Sequence, residues 1–132
     1  MLAKIEVGTR QRSEMIDITE EVQAQVARSG VKNGLCLVWV PHTTAGVTVN
    51  ENSDPAVQRD LLAALDRLVP RNGDYRHSEG NSDGHIKSTL CGREVSLIIE
   101  EGALVLGTWQ GIFFCEFDGP RRRMVLIKIL KG

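Results

Sequence analysis

Apolar residues along the chain fall in two rhythms, and each rhythm predicts a kind of element. Ile5 and Val7 alternate with Lys4, Glu6 and Gly8, and Met15-Ile16-Asp17-Ile18 alternates similarly. Alternation with a period of two predicts two strands, joined by a polar turn around Arg10 to Ser13. Thr19 is the expected N-cap of a short helix with Glu20 and Glu21 in its first turn, Val22, Val26 and Gln25 on one face, and Gly30 as its stop. Leu35 to Val40 is a continuous apolar run ending at Pro41, which predicts a buried strand. Ala45 to Val49 reads as the next strand, after a bend at His42-Thr43-Thr44. Asp54 and Pro55 then predict a capped helix start, and Ala56, Leu61, Leu62, Ala64, Leu65 and Leu68 form its apolar stripe up to Pro70.

From Arg71 to Gly84 the apolar pattern stops, and a polar loop is expected. Ile86 to Leu90 predicts one or two helical turns stopped by Gly92. Strands are predicted at Glu94 to Ile99, Leu104 to Leu106, Gly111 to Phe117 and Met124 to Leu130, with turns at Glu100-Glu101-Gly102 and Asp118-Gly119-Pro120-Arg121. Strands dominate, and they do not alternate with helices. The expected class is α+β, with largely antiparallel strands in a compact sandwich-like core and two or three helices. No linker, repeat or low-complexity tract interrupts residues 1–132, so one domain is expected.

Charge narrows the function classes. The chain has 16 basic and 17 acidic residues, a formal net charge of −1. That balance lacks the positive excess of a nucleic-acid coat or a polybasic membrane binder. The run Met1-Leu2-Ala3-Lys4-Ile5-Glu6 meets a charge within four residues, and no stretch approaches the roughly twenty apolar residues of a membrane span. A cytoplasmic protein with neither a nucleic-acid nor a membrane partner is expected. Cys36, Cys91 and Cys115 show no CxxC spacing and read as reduced packing residues. Walker-type GxxxxGK[ST] and GxSxG motifs are absent, and six aromatics form no stacking platform for single strands.

The polar residues carry the chemistry. His42-Thr43-Thr44 follows one apolar strand and Asn50-Glu51-Asn52-Ser53-Asp54 the next. His77 to Lys87 fills the long loop, while Thr108-Trp109-Gln110 and Glu116-Phe117-Asp118 punctuate the last strands. All three histidines of the chain fall in these clusters. Imidazole with a carboxylate suits zinc, manganese or a similar ion, although neither HExxH nor an EF-hand loop is present. His42, His77 and His85 are therefore candidate metal ligands, against the plainer reading of hydrogen-bonding surface histidines. Lys87 and Arg121-Arg122-Arg123 offer cations matched to phosphate oxygens. Arg122 and Arg123 also read simply as solvated residues flanking a strand, whereas Gly119-Pro120 is expected to aim Arg121 inward.

His42-Thr43-Thr44-Ala45-Gly46, Asn50-Glu51-Asn52 with Asp54-Pro55, His77 to Lys87, Gly107-Thr108-Trp109-Gln110 and Glu116 to Arg121 together resemble the YjbQ family, over about Ile5 to Ile129. Gly84 departs from the alanine common in relatives. The resemblance implies a compact α+β homotrimer with the motif residues gathered in a cleft. It also implies a secondary thiamine-phosphate synthase activity, which joins a hydroxymethylpyrimidine diphosphate to a thiazole phosphate and releases pyrophosphate. For that reaction Lys87 and Arg121 would neutralise pyrophosphate, and His42, His77 and His85 would hold a divalent ion (zinc, magnesium or manganese) helped by Glu79, Asp83 or Glu116. Asn50, Asn52 and Gln110 would orient the pyrimidine and Trp109 would stack on a ring. Thr43, Thr44 and Asn81 join the substrate-binding candidates, and Glu51, Asp83 and Glu116 the catalytic ones. Two alternatives stay open: a metal-dependent hydrolase of a small phosphorylated or amide substrate, and a non-catalytic trimer binding a metal or small molecule.

Overall fold

Inward-facing positions alternate along the outer strands, and that alternation builds two facing sheets. A computed structural model describes residues 2–132 of the chain, so Met1 lies outside the described residues. The elements run β1 (Leu2–Gly8), β2 (Glu14–Asp17), α1 (Thr19–Ser29), β3 (Gly34–Trp39), β4 (Ala45–Glu51) and α2 (Pro55–Leu68). They continue with α3 (Ser82–Cys91), β5 (Glu94–Glu100), β6 (Ala103–Leu104), β7 (Gln110–Glu116) and β8 (Arg122–Lys131). One sheet has the order β1-β8-β3-β5-β6 and the other β2-β7-β4. Every pairing is antiparallel, so the α+β expectation holds.

The main core lies between the sheets. Ile5 and Val7, Cys36 and Val38, Leu97 and Ile99, and Val125, Ile127 and Ile129 meet Val47, Ile112 and Phe114, and Val22 and Val26 of α1 join them. Each of the Val, Leu, Ile and Phe side chains among them contributes roughly 1.5–3 kcal/mol by leaving water. The opposite face of β7 buries Phe113 and Cys115, with Phe117 just beyond, against Leu62 and Leu65 of α2, Met15 and Cys91. As the middle strand of three, β7 is thus buried on both faces, which explains its unbroken apolar run.

Several boundaries differ from expectation. Ile18 is the N-cap of α1, and Thr19 is its first helical residue, accepting from Ile112 N at 2.8 Å. Asp54 does cap α2, accepting from Ala56 N at 2.9 Å. The long loop ends sooner than expected, because Ser82 to His85 begin α3. Of the predicted strand 104–106 only Leu104 falls in β6 (Ala103–Leu104), which pairs with β5.

Candidate functional site

The apolar alternation of two strands runs on into polar residues at one end of the core. In β8 the inward series Ile129, Ile127, Val125 continues to Arg123, and beyond β1 the series Ile5, Val7 continues to Thr9. Both meet Glu116, which is fully buried. Arg123 donates from Nε to Glu116 Oε1 at 2.9 Å and from Nη2 to Glu116 Oε2, a two-point ion pair. Thr9 Oγ1 donates to Oε1 at 2.8 Å, and the Phe117 and Asp118 amides donate to Oε2 at 3.1 and 3.0 Å. Arg123 Nη2 also reaches Thr44 Oγ1 at 2.9 Å. Burial pushes the Glu116 carboxyl upward, but the bonds from Arg123, Thr9 and Asp118 outweigh it and hold the group below its ordinary range. Glu116 is thus a saturated anion holding the fold, with no lone pair turned to a ligand. Two expectations change: Arg123 is not a solvated flank, and Glu116 and Thr44 face the core. Period-two alternation from Val125 back to Arg123 was the signal.

Beside this pair lies a second network, open to solvent. Arg12 donates to Asp83 Oδ1 at 2.9 Å, and its Nη1 lies 2.9 Å from Asp118 Oδ1. Asn81 Nδ2 donates to Asp118 Oδ2 at 2.8 Å. Burial pushes Asp118 upward, and the bonds from Asn81 and Arg121 with the charge of Arg12 bring it below its usual value. Arg121 donates to Asp118 O at 2.8 Å and Oδ2 at 3.0 Å, so its guanidinium folds back onto this carboxylate while half of it stays exposed. The Gly119-Pro120 peptide is cis. The expected inward aim of Arg121 is therefore replaced by a clasp on Asp118. Lys87 is almost wholly buried; its Nζ donates to exposed Asp66 Oδ1 at 2.5 Å and lies 3.7 Å from Asp83 Oδ2. Arg12, Ser13, Asp66, Arg71, Asn72 and Lys87 line a depression of about 510 Å³. Here the sequence reading missed Arg12 and Asp66 and named Asp118 in a polar cluster without giving it a role, since residues that meet only in space leave no spacing pattern.

The histidines divide. The His77 and His85 rings meet edge to face, 5.3 Å between centroids, in a separate depression with Tyr75, Arg76, Ser82 and Ile86. Exposed Glu79 lies 4.0 Å from His77. His42 instead lines a depression with Glu6, Gly8, Arg122 and Met124, and its Nε2 accepts from Met124 N at 3.0 Å. That bond fixes the neutral ring's proton on Nδ1. Burial, then the nearby Arg123 charge, lowers the His42 pKa, with Glu116 opposing. Among the described residues no three His, Cys, Asp or Glu side chains gather in a metal-holding cluster. The expected three-histidine site is therefore corrected for a single chain to one pair and one separate ring, a donor set that does not fit a closed metal site.

The remaining candidates sit at the far end of β4. Asn50 and Glu51 close that strand, seven residues or about 20 Å from Thr43 and Thr44 at the other end. Asn52 N donates to Trp109 O at 3.0 Å, and Asn52 Nδ2 donates to Asp17 Oδ2 at 3.2 Å. Gln110 accepts from Gly107 N at 2.8 Å, Asn50 Oδ1 from Glu51 N at 2.8 Å, and Trp109 is 62% exposed. One chain therefore does not gather all motif residues into one cleft.

Two antiparallel sheets enclosing a saturated Glu–Arg pair, with a depression lined by both basic and acidic side chains beside it, define the α+β protein. The chain belongs to the YjbQ family: the family described as UPF0047 protein YjbQ-like matches residues 3–132. It is 51% identical to a UPF0047 protein of Methanocaldococcus jannaschii over 130 residues, 98% of this chain and 94% of that one. Identity to the UPF0047 protein YugU of Bacillus subtilis is 49%, covering 98% and 99% of the two chains. A crystal structure of a YjbQ/UPF0047 family protein from Clostridium acetobutylicum superposes with a TM-score of 0.96 at 52% identity, covering 97% and 99% of the two chains. Among the described residues, no helix is long and apolar enough to cross a membrane.

Proposed function

We propose that the chain is a transferase of the secondary thiamine-phosphate synthase kind, joining a hydroxymethylpyrimidine diphosphate to a thiazole phosphate. The thiazole nitrogen forms a bond to the pyrimidine's methylene carbon as the carbon–oxygen bond breaks, and pyrophosphate leaves with that electron pair. The observation that carries this reading is the depression around Lys87. The buried Lys87 ammonium, Arg12 and Arg71 line it, with Ser13 and Asn72 as neutral donors. Asp66 and Asp83, which pair with Lys87 and Arg12, hold those cations in place and leave one more cation than carboxylates in the lining. Such fixed donors favour the charge that develops on departing pyrophosphate. Arg121, joined to Arg12 through Asp118, adds a half-exposed cation at the margin. In this proposal the active form is a homotrimer. Asn50, Glu51, Asn52, Trp109 and Gln110 complete the site from a neighbouring copy, and His77 and His85 supply two ligands to a divalent ion whose other ligands come from outside the single chain.

Incubating the protein with both substrates and magnesium or manganese, and following thiamine phosphate by mass, tests the reading. Lys87→Gln should lower turnover on the order of 10²-fold. Arg71→Ala, at an exposed wall position, should raise KM for the diphosphate without changing the melting temperature. No thiamine phosphate from the unaltered protein overturns the proposal. The His77–His85 pair favours a second reading, metal-dependent hydrolysis of a small phosphorylated or amide substrate, which predicts turnover of simple phosphoesters instead.

A further inference from the structure

Cys91 and Cys115 were expected to be separate packing residues, yet the fold packs them in one cluster. Cys115 in β7 sits directly opposite Gly46 in β4. Residues opposite each other in an antiparallel pair point to the same face, with β-carbons about 4.5–5.5 Å apart. Gly46 has no β-carbon, and the space one would fill is taken by Cys91: a carbon there would lie 3.0 Å from Cys91 Sγ and 3.2 Å from Cys91 Cβ. The Cys91 side chain at the end of α3 therefore lies over Gly46 and next to Cys115, within the apolar group of Phe113, Cys115 and Phe117. Each sulfur otherwise has one weak contact, Cys91 with Val47 O at 3.7 Å and Cys115 with Phe113 O at 3.8 Å.

We propose that Cys91 and Cys115 form a peroxide-oxidisable dithiol, closing to an intramolecular disulfide that ties the end of α3 to β7. Cys91 is half-buried and Cys115 is buried, so peroxide meets Cys91 first. The Cys91 sulfur attacks one peroxide oxygen, the O–O bond breaks, and Cys91 becomes a sulfenic acid as water leaves. The Cys115 sulfur then attacks the Cys91 sulfur; the S–O bond breaks, and the hydroxyl departs as a second water with the Cys115 proton. Two thiols are oxidised by two electrons, and one hydrogen peroxide is reduced to two waters. Thiol acidity follows the same order. The hydrogen bond shared with Cys115 lowers Cys91, whereas that bond and then burial raise Cys115. Cys36, pushed up to about 11 by burial in the main core, takes no part. Helix α3 also carries Asp83 and Lys87, so the proposed bond would brace side chains of the depression around Lys87.

Treating the full-length protein with hydrogen peroxide and digesting it with trypsin tests this directly. The expected product is peptide 88–93 disulfide-linked to peptide 94–121 from the same chain, with two hydrogens lost and full reversal by dithiothreitol. Cys36→Ala should give the same product. In Cys115→Ala the reaction should stop at a Cys91 sulfenic acid that dimedone traps, and Cys91→Ala should resist low peroxide. The proposal is overturned if Cys91 in the unaltered protein proceeds to sulfinic acid while Cys115 stays a thiol, if the linkage joins different chains, or if neither sulfur reacts.

Discussion

At Arg123 a single side chain decides whether a buried carboxylate is tolerable. The Arg123–Glu116 pair is buried, and the remaining lone pairs of both carboxylate oxygens are met by Thr9 and two amides. Arg123→Ala should therefore cost about 3–5 kcal/mol in urea unfolding, because it leaves an uncompensated buried charge. Replacing both partners by apolar groups should recover much of that loss, and a double-mutant cycle measures the difference. The same neighbourhood makes stability depend on acid in two steps. His42 has a folded pKa below its unfolded 6.5, so the unfolded chain binds its proton first and stability falls as pH drops below about 6.5. Glu116 and Asp118 are also depressed, below reference values of 4.5 and 3.8. Their contributions are present above those values and disappear as pH falls through the lower folded ones. Melting curves from pH 8 to pH 3 should show both steps, and His42→Gln, which can still accept from Met124 N, should remove only the first.

Helix α3 shows why part of the architecture was hidden and most was not. The alternation at Ile5 and Val7 and the continuous apolar run Leu35 to Val40 predicted strands that the structure contains as β1 and β3, with Ile5, Val7, Cys36 and Val38 buried. The buried residues of α3 are Asp83, Gly84, Lys87 and Ser88, spaced four apart in two pairs. They have the spacing of a helix face but not its hydrophobicity, so an apolar pattern could not reveal it. Ser88 holds the helix down by donating to Ala45 O at 2.6 Å, and Gly84 lets it approach the neighbouring backbone. A side-chain carbon on Gly84 would lie 2.9 Å from Phe117 O. Gly84→Ala should thus push α3 outward and cost about 1–3 kcal/mol, read as a lower melting temperature. The candidate site was legible only as a set of residue types. Arg12 and Asp66 come from segments far from α3, and only folding brings them to Lys87 and Asp83. In α2, by contrast, the predicted apolar stripe is real, but no residue is fully buried and Leu68 is 74% exposed, because this helix is an outer layer.

On the scale of the whole molecule, the five-stranded sheet has two apolar faces. Leu35 stands opposite both Ile98 and Leu130 on its outer surface, and each is about half exposed. Trp39, 40% exposed, stands opposite Leu126 on the same surface. Such a row invites cover, and the proposed homotrimer supplies it with further copies. Light scattering at micromolar concentration should report the trimer, and Leu35→Asp with Ile98→Asp should shift it toward monomer while leaving the secondary structure unchanged; a monomeric unaltered protein would overturn the homotrimer proposal. A last consequence concerns time. β1 pairs along its whole length with β8, and Thr9 bonds to Glu116 and Arg121, more than a hundred residues later. Synthesis adds roughly 5–20 residues per second, so β1 waits several seconds or more on the ribosome before its partner exists. During that wait its inward side chains have no sheet to join, and the closing strand completes both the larger sheet and the charge pair in one late event. A nascent chain stalled before β8 emerges should therefore remain open to protease at its beginning, and a few more residues should close it.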